Sequence, residues 1–412
     1  MTTNIDKMWL NLEKEVERRG GDGKDFISAM KELYAVWDEG LYKWVSKLWC
    51  PEEGGFYYSN SARDNEPFLP DIESTLQALG IICRSGMVSY DGLPEDIKEG
   101  VRRFLKKRFD PTDGYFYHPQ WGKNIIDARR GRDLMWAETM MKWFDVTLPA
   151  KTASERLRAA STATREEKAK ITENMPQHLR SEEAFLAYLR SWDWENQAYV
   201  SGNNLVAQSN QIVAAGLAPV AIGFLNSIQN RDNGFWGNST GYDAVNGYLK
   251  ITSFYVDARA PVNYAKKAAM AIMDVLFEPE KPAHVCCQYN VWFSIGNLLE
   301  IFKKLGNVMD KNEADEIRRE ILRRAPAAIR ATIPKLLHFK KPDGSFSYTP
   351  TASSYVSQNA WVAIKGTNEG DVNASIICSV EILHKIYRAL ELNDFAVPIF
   401  TEKDYENIVF PF

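Results

Sequence analysis

The segment "DARRGRDLMWAE" crowds Arg129, Arg130, Arg132 and Asp133 into about one helical turn, with Trp136 and Glu138 just after. Guanidinium groups match carboxylates in two-point geometry, so the cluster has the chemistry of an acid-binding site. A solvated helix start accounts for the same composition. Immediately upstream, "FYHPQWG" places His118 on a turn between Tyr117 and Trp121. The chain has only 5 histidines, and one on an aromatic turn is a candidate general base near neutral pH. A packed or surface histidine is the plainer alternative.

A second constellation lies in "RDNGFWGNSTGYDAVNGYLKITSFY", residues 231–255. Asn233 and Gly234 form a turn anchored by Phe235 and Trp236, and Tyr242 and Asp243 lead into a helix. Asp243, Asn246, Gly247 and Lys250 follow helical spacing and share one face. That face is poor core, and its glycine costs about 1 kcal/mol relative to alanine inside a helix. A ligand or a close helix approach would account for it.

An aspartate heads each of four predicted helices: Asp71, Asp127, Asp243 and Asp371. N-capping, worth about 1 kcal/mol each, explains all four. Glu73, Arg129, Asn246 and Asn373 then fall in first turns, where they can face a common mouth. Two later segments add polar candidates. "AHVCCQYNVW" carries His284, Cys286, Tyr289 and Asn290, although buried thiols acting as small hydrophobes explain its cysteines better than a metal does. "SSYVSQNAWVAIKGTNEGD" is a polar loop with Tyr355, Gln358, Asn359, Trp361, Asn368 and Glu369.

The elements that must position these groups are helices. Apolar residues in "DIESTLQALGIICRSG" and "DVNASIICSVEILHKIYRAL" recur every three or four positions, and strand-like alternation is scarce. A turn also recurs, with glycines at 55, 114, 234 and 344, each followed within two residues by an aromatic. The spacing implies a unit of about 55–60 residues, most simply a helical hairpin, with one turn lost in each longer interval. Residues of about 150–190 are highly charged and poor in large apolar side chains, as in a solvated helical insertion. The remainder makes about six hairpins in a single domain spanning 1–412. The aromatic-rich ends, "MWLNL" and "ENIVFPF", favour closure into a ring over an open solenoid with polar caps.

The bulk composition narrows the function classes. A net charge of −4 gives no footprint for nucleic acid. Five cysteines without a framework spacing argue against disulfides. No apolar run reaches membrane-spanning length, and the first residues lack a signal-peptide pattern, so a cytoplasmic protein is expected.

The four glycine–aromatic turns, with "LPDIESTLQALGII" and "YDAVNGYLKITSFY", resemble the α/α-toroid superfamily over roughly residues 50–390. That superfamily includes terpenoid cyclases and prenyltransferases, six-hairpin glycosidases and polysaccharide lyases. The resemblance implies an all-α (α/α) toroid whose inner helices surround a cavity. The aspartate-rich cyclase motif and the prenyltransferase zinc set have no match here, so no metal or cofactor is expected.

The expectation is therefore a carbohydrate-active enzyme working on an acidic, uronate-containing oligosaccharide. A β-elimination lyase comes first and a glycoside hydrolase second. Elimination would use Tyr242 or His118 for proton transfer beside Asp243, with Asn246 and Arg129 on the carboxylate. Glu73, Trp121, Trp236, Lys250, Tyr289, Asn359, Trp361, Glu369 and Asn373 would line the aromatic cleft. Hydrolysis would instead use two carboxylates among Asp71, Glu73, Asp243, Glu369 and Asp371, about 5–10 Å apart. A terpenoid or prenyl-type enzyme and a ring that only binds its ligand are the alternatives.

Overall fold

The computed structural model describes residues 4–155, 177–306, 310–357 and 359–411. These are mostly helical, as the apolar spacing predicts, and their only sheets are two two-stranded ribbons. The first helices are α1 (Asn4–Arg18), α2 (Gly23–Tyr34), α3 (Glu39–Ser46), α4 (Asn60–Arg63), α5 (Ile72–Arg84), α6 (Glu95–Arg108) and α7 (Asp127–Trp143). The middle of the chain forms α8 (Glu182–Arg190), α9 (Ala198–Ala207), α10 (Ser209–Ala214), α11 (Ala218–Ile228), α12 (Gly241–Ala258) and α13 (Ala265–Val275). The rest forms α14 (Cys286–Lys304), α15 (Lys311–Leu337), α16 (Val372–Ile376), α17 (Ile382–Ala389) and α18 (Glu402–Tyr405). No helix among the described residues is long and apolar enough to cross a membrane.

Packing links six helices in series. Helix α7 lies on α5, α5 on α16, α17 on α14, α14 on α12, and α12 on α9. Helices α16 and α17 are two halves of one rod, joined by a π-helical turn at Ile377–Glu381. The widened turn is accompanied by a bond across the core, with Trp37 Nε1 donating to the Cys378 carbonyl at 2.7 Å. A second set of helices lies behind the first: α8 packs on α11, α13 on both α14 and α15, and α15 on α2.

The recurring turns are short hairpins that feed chain into four of these serially packed helices. Strands β1 (Trp49–Cys50) and β2 (Gly55–Phe56) form the first, and single bridges Phe109–Phe116, Gln229–Trp236 and Lys340–Phe346 form the others. The equivalent glycine of the first turn is Gly54, one residue before the position the sequence spacing implies. Gly54, Gly114, Gly234 and Gly344 all take left-handed backbone, at φ of 78°, 81°, 76° and 86°. Space at these positions is equally restrictive. A Cβ on Gly114 would lie 2.6 Å from the Ala153 nitrogen, and one on Gly344 would lie 2.5 Å from the Leu41 nitrogen. The last turn thus packs directly on the N-terminus of α3. The residue before glycine is Asp or Asn in three turns because its side chain closes the loop. Asp113, Asn233 and Asp343 each accept from the backbone N–H two residues on, at 3.1, 2.9 and 3.1 Å.

The two turns absent from the glycine pattern are present as plain connections. Residues 191–197 join α8 to α9, and residues 277–285 join α13 to α14. In the first, Asp193 accepts from the Asn196 N–H at 2.9 Å. Most of the charged insertion expected at about 150–190, residues 156–176, lies outside the described residues.

The capping expectation holds for two of the four aspartates. Asp71 accepts from Ser74 N at 3.0 Å and Asp371 from Ala374 N at 2.8 Å. Asp243 does not cap. The chain enters α12 two residues earlier, through Thr240 and a left-handed Gly241 at φ 54°, which leaves Asp243 exposed in the first turn. At α7 the cap position is Ile126, and the Asp127 side chain lies outside those described.

Candidate functional site

Arg129, in the first turn of α7, is fully buried and binds three carboxylates. Its Nη1 donates to Glu73 Oε2 at 2.7 Å, its Nη2 to Asp71 Oδ1 at 3.0 Å, and its Nε to Asp133 Oδ1 at 3.0 Å. A fourth bond runs from Nη1 to the Ser357 carbonyl at 3.1 Å. Four of the five guanidinium N–H groups are directed at protein acceptors and the side chain is fully buried, so Arg129 organises the site rather than meeting a substrate acid. Its place one turn ahead of Asp133 (i, i+4) and opposite the α5 cap brings the four charges together.

One cation among three carboxylates leaves negative charge in a low-dielectric place. Burial, reinforced by Asp71 and Glu73 and opposed by Arg129, pushes the Asp133 carboxyl up to about 7. Near neutral pH the cluster therefore shares a proton. Glu73 is held at one oxygen only. Oε2 takes Arg129 and the Ser357 hydroxyl at 2.5 Å, whereas Oε1 has Gln77 at 3.4 Å and Arg132 at 4.0 Å. Gln77 also donates to Asn373 at 3.0 Å, which links α16 to the group.

Asp371, at the head of α16, is completely buried. Burial drives its carboxyl up to about 7, while four donors oppose that rise: Ala374 N, Tyr58 OH, Tyr348 N and Ser354 N. This is a structural knot that ties the last inner helix to the first hairpin, since the Val372 N–H also bonds the Tyr58 carbonyl.

His118 is placed beside this cluster with both ring nitrogens engaged. Nδ1 accepts from the Gln120 N–H at 3.1 Å, which makes Nε2 the protonated nitrogen that donates to the Pro70 carbonyl at 3.0 Å. Burial pulls its pKa down to about 4. Neutral and doubly bonded, it has no lone pair to take a substrate proton. Trp121 stacks on its ring at a 3.8 Å centroid distance and lies 5.2 Å from the Arg129 guanidinium carbon.

Strands β3 (Val356–Ser357) and β4 (Ala360–Trp361) form a flap over these helix starts. Arg129 and Glu73 hold Ser357, and Gln120 donates to the Trp361 carbonyl at 2.9 Å. Asn359 makes the turn with a left-handed φ of 64°, and Trp361 is 62% exposed. Gln358 lies outside the described residues. Glu369 sits behind the flap, accepting from the Ser61 N–H at 2.8 Å.

The helix face predicted on α12 divides among three tasks. Asn246 is buried and accepts from Asn290 of α14 at 2.7 Å. Gly247 allows α9 to approach: an added Cβ would lie 3.3 Å from Ala198 Cβ. Lys250 is half-buried with its amine 5.7 Å from the Tyr199 ring. Tyr242 instead turns outward, where its oxygen accepts from Lys335 of α15 at 2.6 Å and from Gln288. Burial raises its phenol pKa, the wrong direction for a base. Lys335 also caps α13 through the Leu276 carbonyl at 2.8 Å, so this is a packing joint.

Trp236 is a correction. It is core, 1% exposed, with its indole N–H on the Leu225 carbonyl at 2.9 Å and its ring between Tyr248 and Tyr255. Tyr289 stands deeper, half-buried, 5.5 Å from the Lys385 amine.

No family profile, curated protein or solved structure matches this chain. The site must be read from its own geometry. Among the described residues, no group of His, Cys, Asp or Glu could hold a metal ion. Sequence reasoning missed Ser357 and Tyr199, which enter through a flap and a helix without the glycine turn. It also missed that Arg132, and not Arg129, is the exposed one, with 41% of its side chain accessible. The difference is one turn of α7, and only the position of Asp133 at i+4 from Arg129 hinted at it.

Proposed function

We propose that the six serially packed helices close into an α/α toroid and that the chain is a carbohydrate-active enzyme cleaving an acidic, uronate-containing oligosaccharide at its mouth. Closure is supported at the two ends of the series, where the charge of Arg132 on α7 reaches Tyr199 on α9. Helix starts from α5, α7, α12, α14 and α16 would then share one rim. The exposed rings of Trp361 and Tyr199 would offer it sugar-stacking faces.

The observation that carries the reading is the split carboxylate set. Asp133 is protonated up to about pH 7, while Glu73 is held closely by Arg129 at one oxygen and keeps only longer contacts at the other, Gln77 at 3.4 Å and Arg132 at 4.0 Å. Paired carboxylates in unequal environments are the means of general acid–base cleavage. We assign Glu73, positioned by Arg129, as one catalytic carboxylate and the exposed Asp243 as the other. Hydrolysis is preferred to elimination because both elimination bases, Tyr242 and His118, are occupied by protein partners.

The test is incubation with uronate oligosaccharides, following new reducing ends and the ultraviolet absorbance of unsaturated products. Reducing ends without absorbance, lost in Glu73→Gln and in Asp243→Asn, are expected. Absorbance that survives both substitutions would replace hydrolysis by elimination. No cleavage of any uronate substrate would remove the enzyme assignment.

A further inference from the structure

Among the described residues, Lys250 has no carboxylate partner and Arg132 only a long one, Glu73 at 4.0 Å. Lys250, on α12, is half-buried, and its amine makes no hydrogen bond or ion pair among the described residues; its one contact is the face of Tyr199 at 5.7 Å. Arg132, on α7, has a side chain 41% exposed, lies 4.7 Å over the Trp136 ring and reaches only Glu73, at 4.0 Å. That carboxylate already belongs to Arg129. Burial, and next the charge of Arg132, lowers the pKa of Lys250. An amine removed from water and set near a second cation is held at a cost unless an anion completes it.

We propose that Arg132 and Lys250 are the two jaws of a clamp for the carboxylate of an acidic sugar whose ring lies against Tyr199, which makes this pair the specificity determinant of the site. The guanidinium supplies a planar two-point contact from α7 and the ammonium a point charge from α12. The clamp rests on the carbohydrate reading only for the molecule that carries the carboxylate. It also moves acid recognition away from Arg129, which is buried among three carboxylates of its own. Arg132 is 41% exposed and Lys250 half-buried, so variants that keep the aliphatic stem disturb the helices least.

The experiment is calorimetric titration of the full chain with trigalacturonate and with its neutral methyl ester. Wild-type protein is compared with Lys250→Met and Arg132→Gln, each first checked for unchanged melting temperature. The acid is expected to bind more tightly than the ester. Each substitution should weaken acid binding about 10- to 100-fold, the loss of one charge-assisted bond, and leave the ester unchanged. Equal acid and ester affinities in the wild type, or unaltered acid binding in both variants, overturn the clamp.

A second arm separates the clamp from the carbohydrate reading. Acetylation of the Lys250 amine is followed by mass spectrometry with and without malonate, a carboxylate that is not a sugar. Protection that Arg132→Gln removes, with no sugar binding in calorimetry, keeps the clamp and discards the carbohydrate. Absence of protection by malonate and by trigalacturonate alike discards the clamp and leaves the Glu73 and Asp243 assays to decide the enzyme.

Discussion

Arg129 and Glu73 lie 56 positions apart in sequence and 2.7 Å apart in space, inside a cluster where one guanidinium holds three buried carboxylates. Removing the cation leaves those charges uncompensated, which for buried pairs costs about 3–5 kcal/mol. Arg129→Met should therefore lower the stability of the protein by that amount in urea unfolding at pH 7. A loss below about 1 kcal/mol would mean that the carboxylates take up protons instead, and that Arg129 is not what assembles the cluster.

Asp133 gives the stability a pH slope of unusual sign. Its folded pKa of about 7 exceeds the value near 4 of an unfolded aspartate. Between about pH 4 and 7 the folded chain keeps a proton that the unfolded chain has released. This contribution is fully present below pH 4 and is lost as pH rises through 7, by at most about 1.4 kcal/mol per pH unit. Asp133→Asn should flatten the change in urea midpoint between pH 5 and pH 7. An unchanged slope would place the proton elsewhere.

His118 acts in the opposite direction. Its folded pKa of about 4 lies below the value near 6.5 of an unfolded histidine, because the ring is buried with both nitrogens bonded. Between about pH 6.5 and 4 the unfolded chain takes up a proton that the folded chain refuses, so stability falls as pH drops through that window. Replacement by Gln should remove this acid-side loss, and thermal melts at pH 4.5 and 6.5 read the difference. Histidine NMR that finds His118 charged at pH 5.5 would refute the bonding scheme.

The glycine turns predict a graded series. Gly114→Ala combines a φ of 81° with a Cβ 2.6 Å from the Ala153 nitrogen, whereas Gly122→Ala, at φ 57°, meets nothing within 4 Å. The second should cost about 1–2 kcal/mol, the left-handed penalty alone. The first should cost clearly more, since backbone must move. Equal losses in denaturant would show that the contact with residue 153 is soft.

Trp37→Phe tests the π-helical turn. The indole N–H is the partner of the Cys378 carbonyl at 2.7 Å, in a fully protein-lined place. Leaving that carbonyl unpaired should cost about 1–3 kcal/mol with little change in shape. Retention of full stability would show that water reaches residue 378.

The sequence by itself determined the local structure. Apolar residues every three or four positions specify helices, because only one stripe of each can be buried. Asp113–Gly114, Asn233–Gly234 and Asp343–Gly344 specify their turns, because the side chain closes the loop and glycine takes the left-handed backbone. Asp71 and Asp371 were legible as caps for the same reason. What lay beyond the sequence was each polar group's partner. Arg129 and Arg132 are indistinguishable in "DARRGRD", yet three residues of helix turn one into a buried knot and leave the other 41% exposed. Trp236 and Trp361 are both turn-region aromatics, but one fills core and the other stands 62% exposed on a flap. His118 lost its role as a base to a backbone carbonyl 48 positions away. Hydrogen bonds and ion pairs between distant segments depend on which helix faces meet, and that choice is made by packing the whole set at once, which no local pattern encodes.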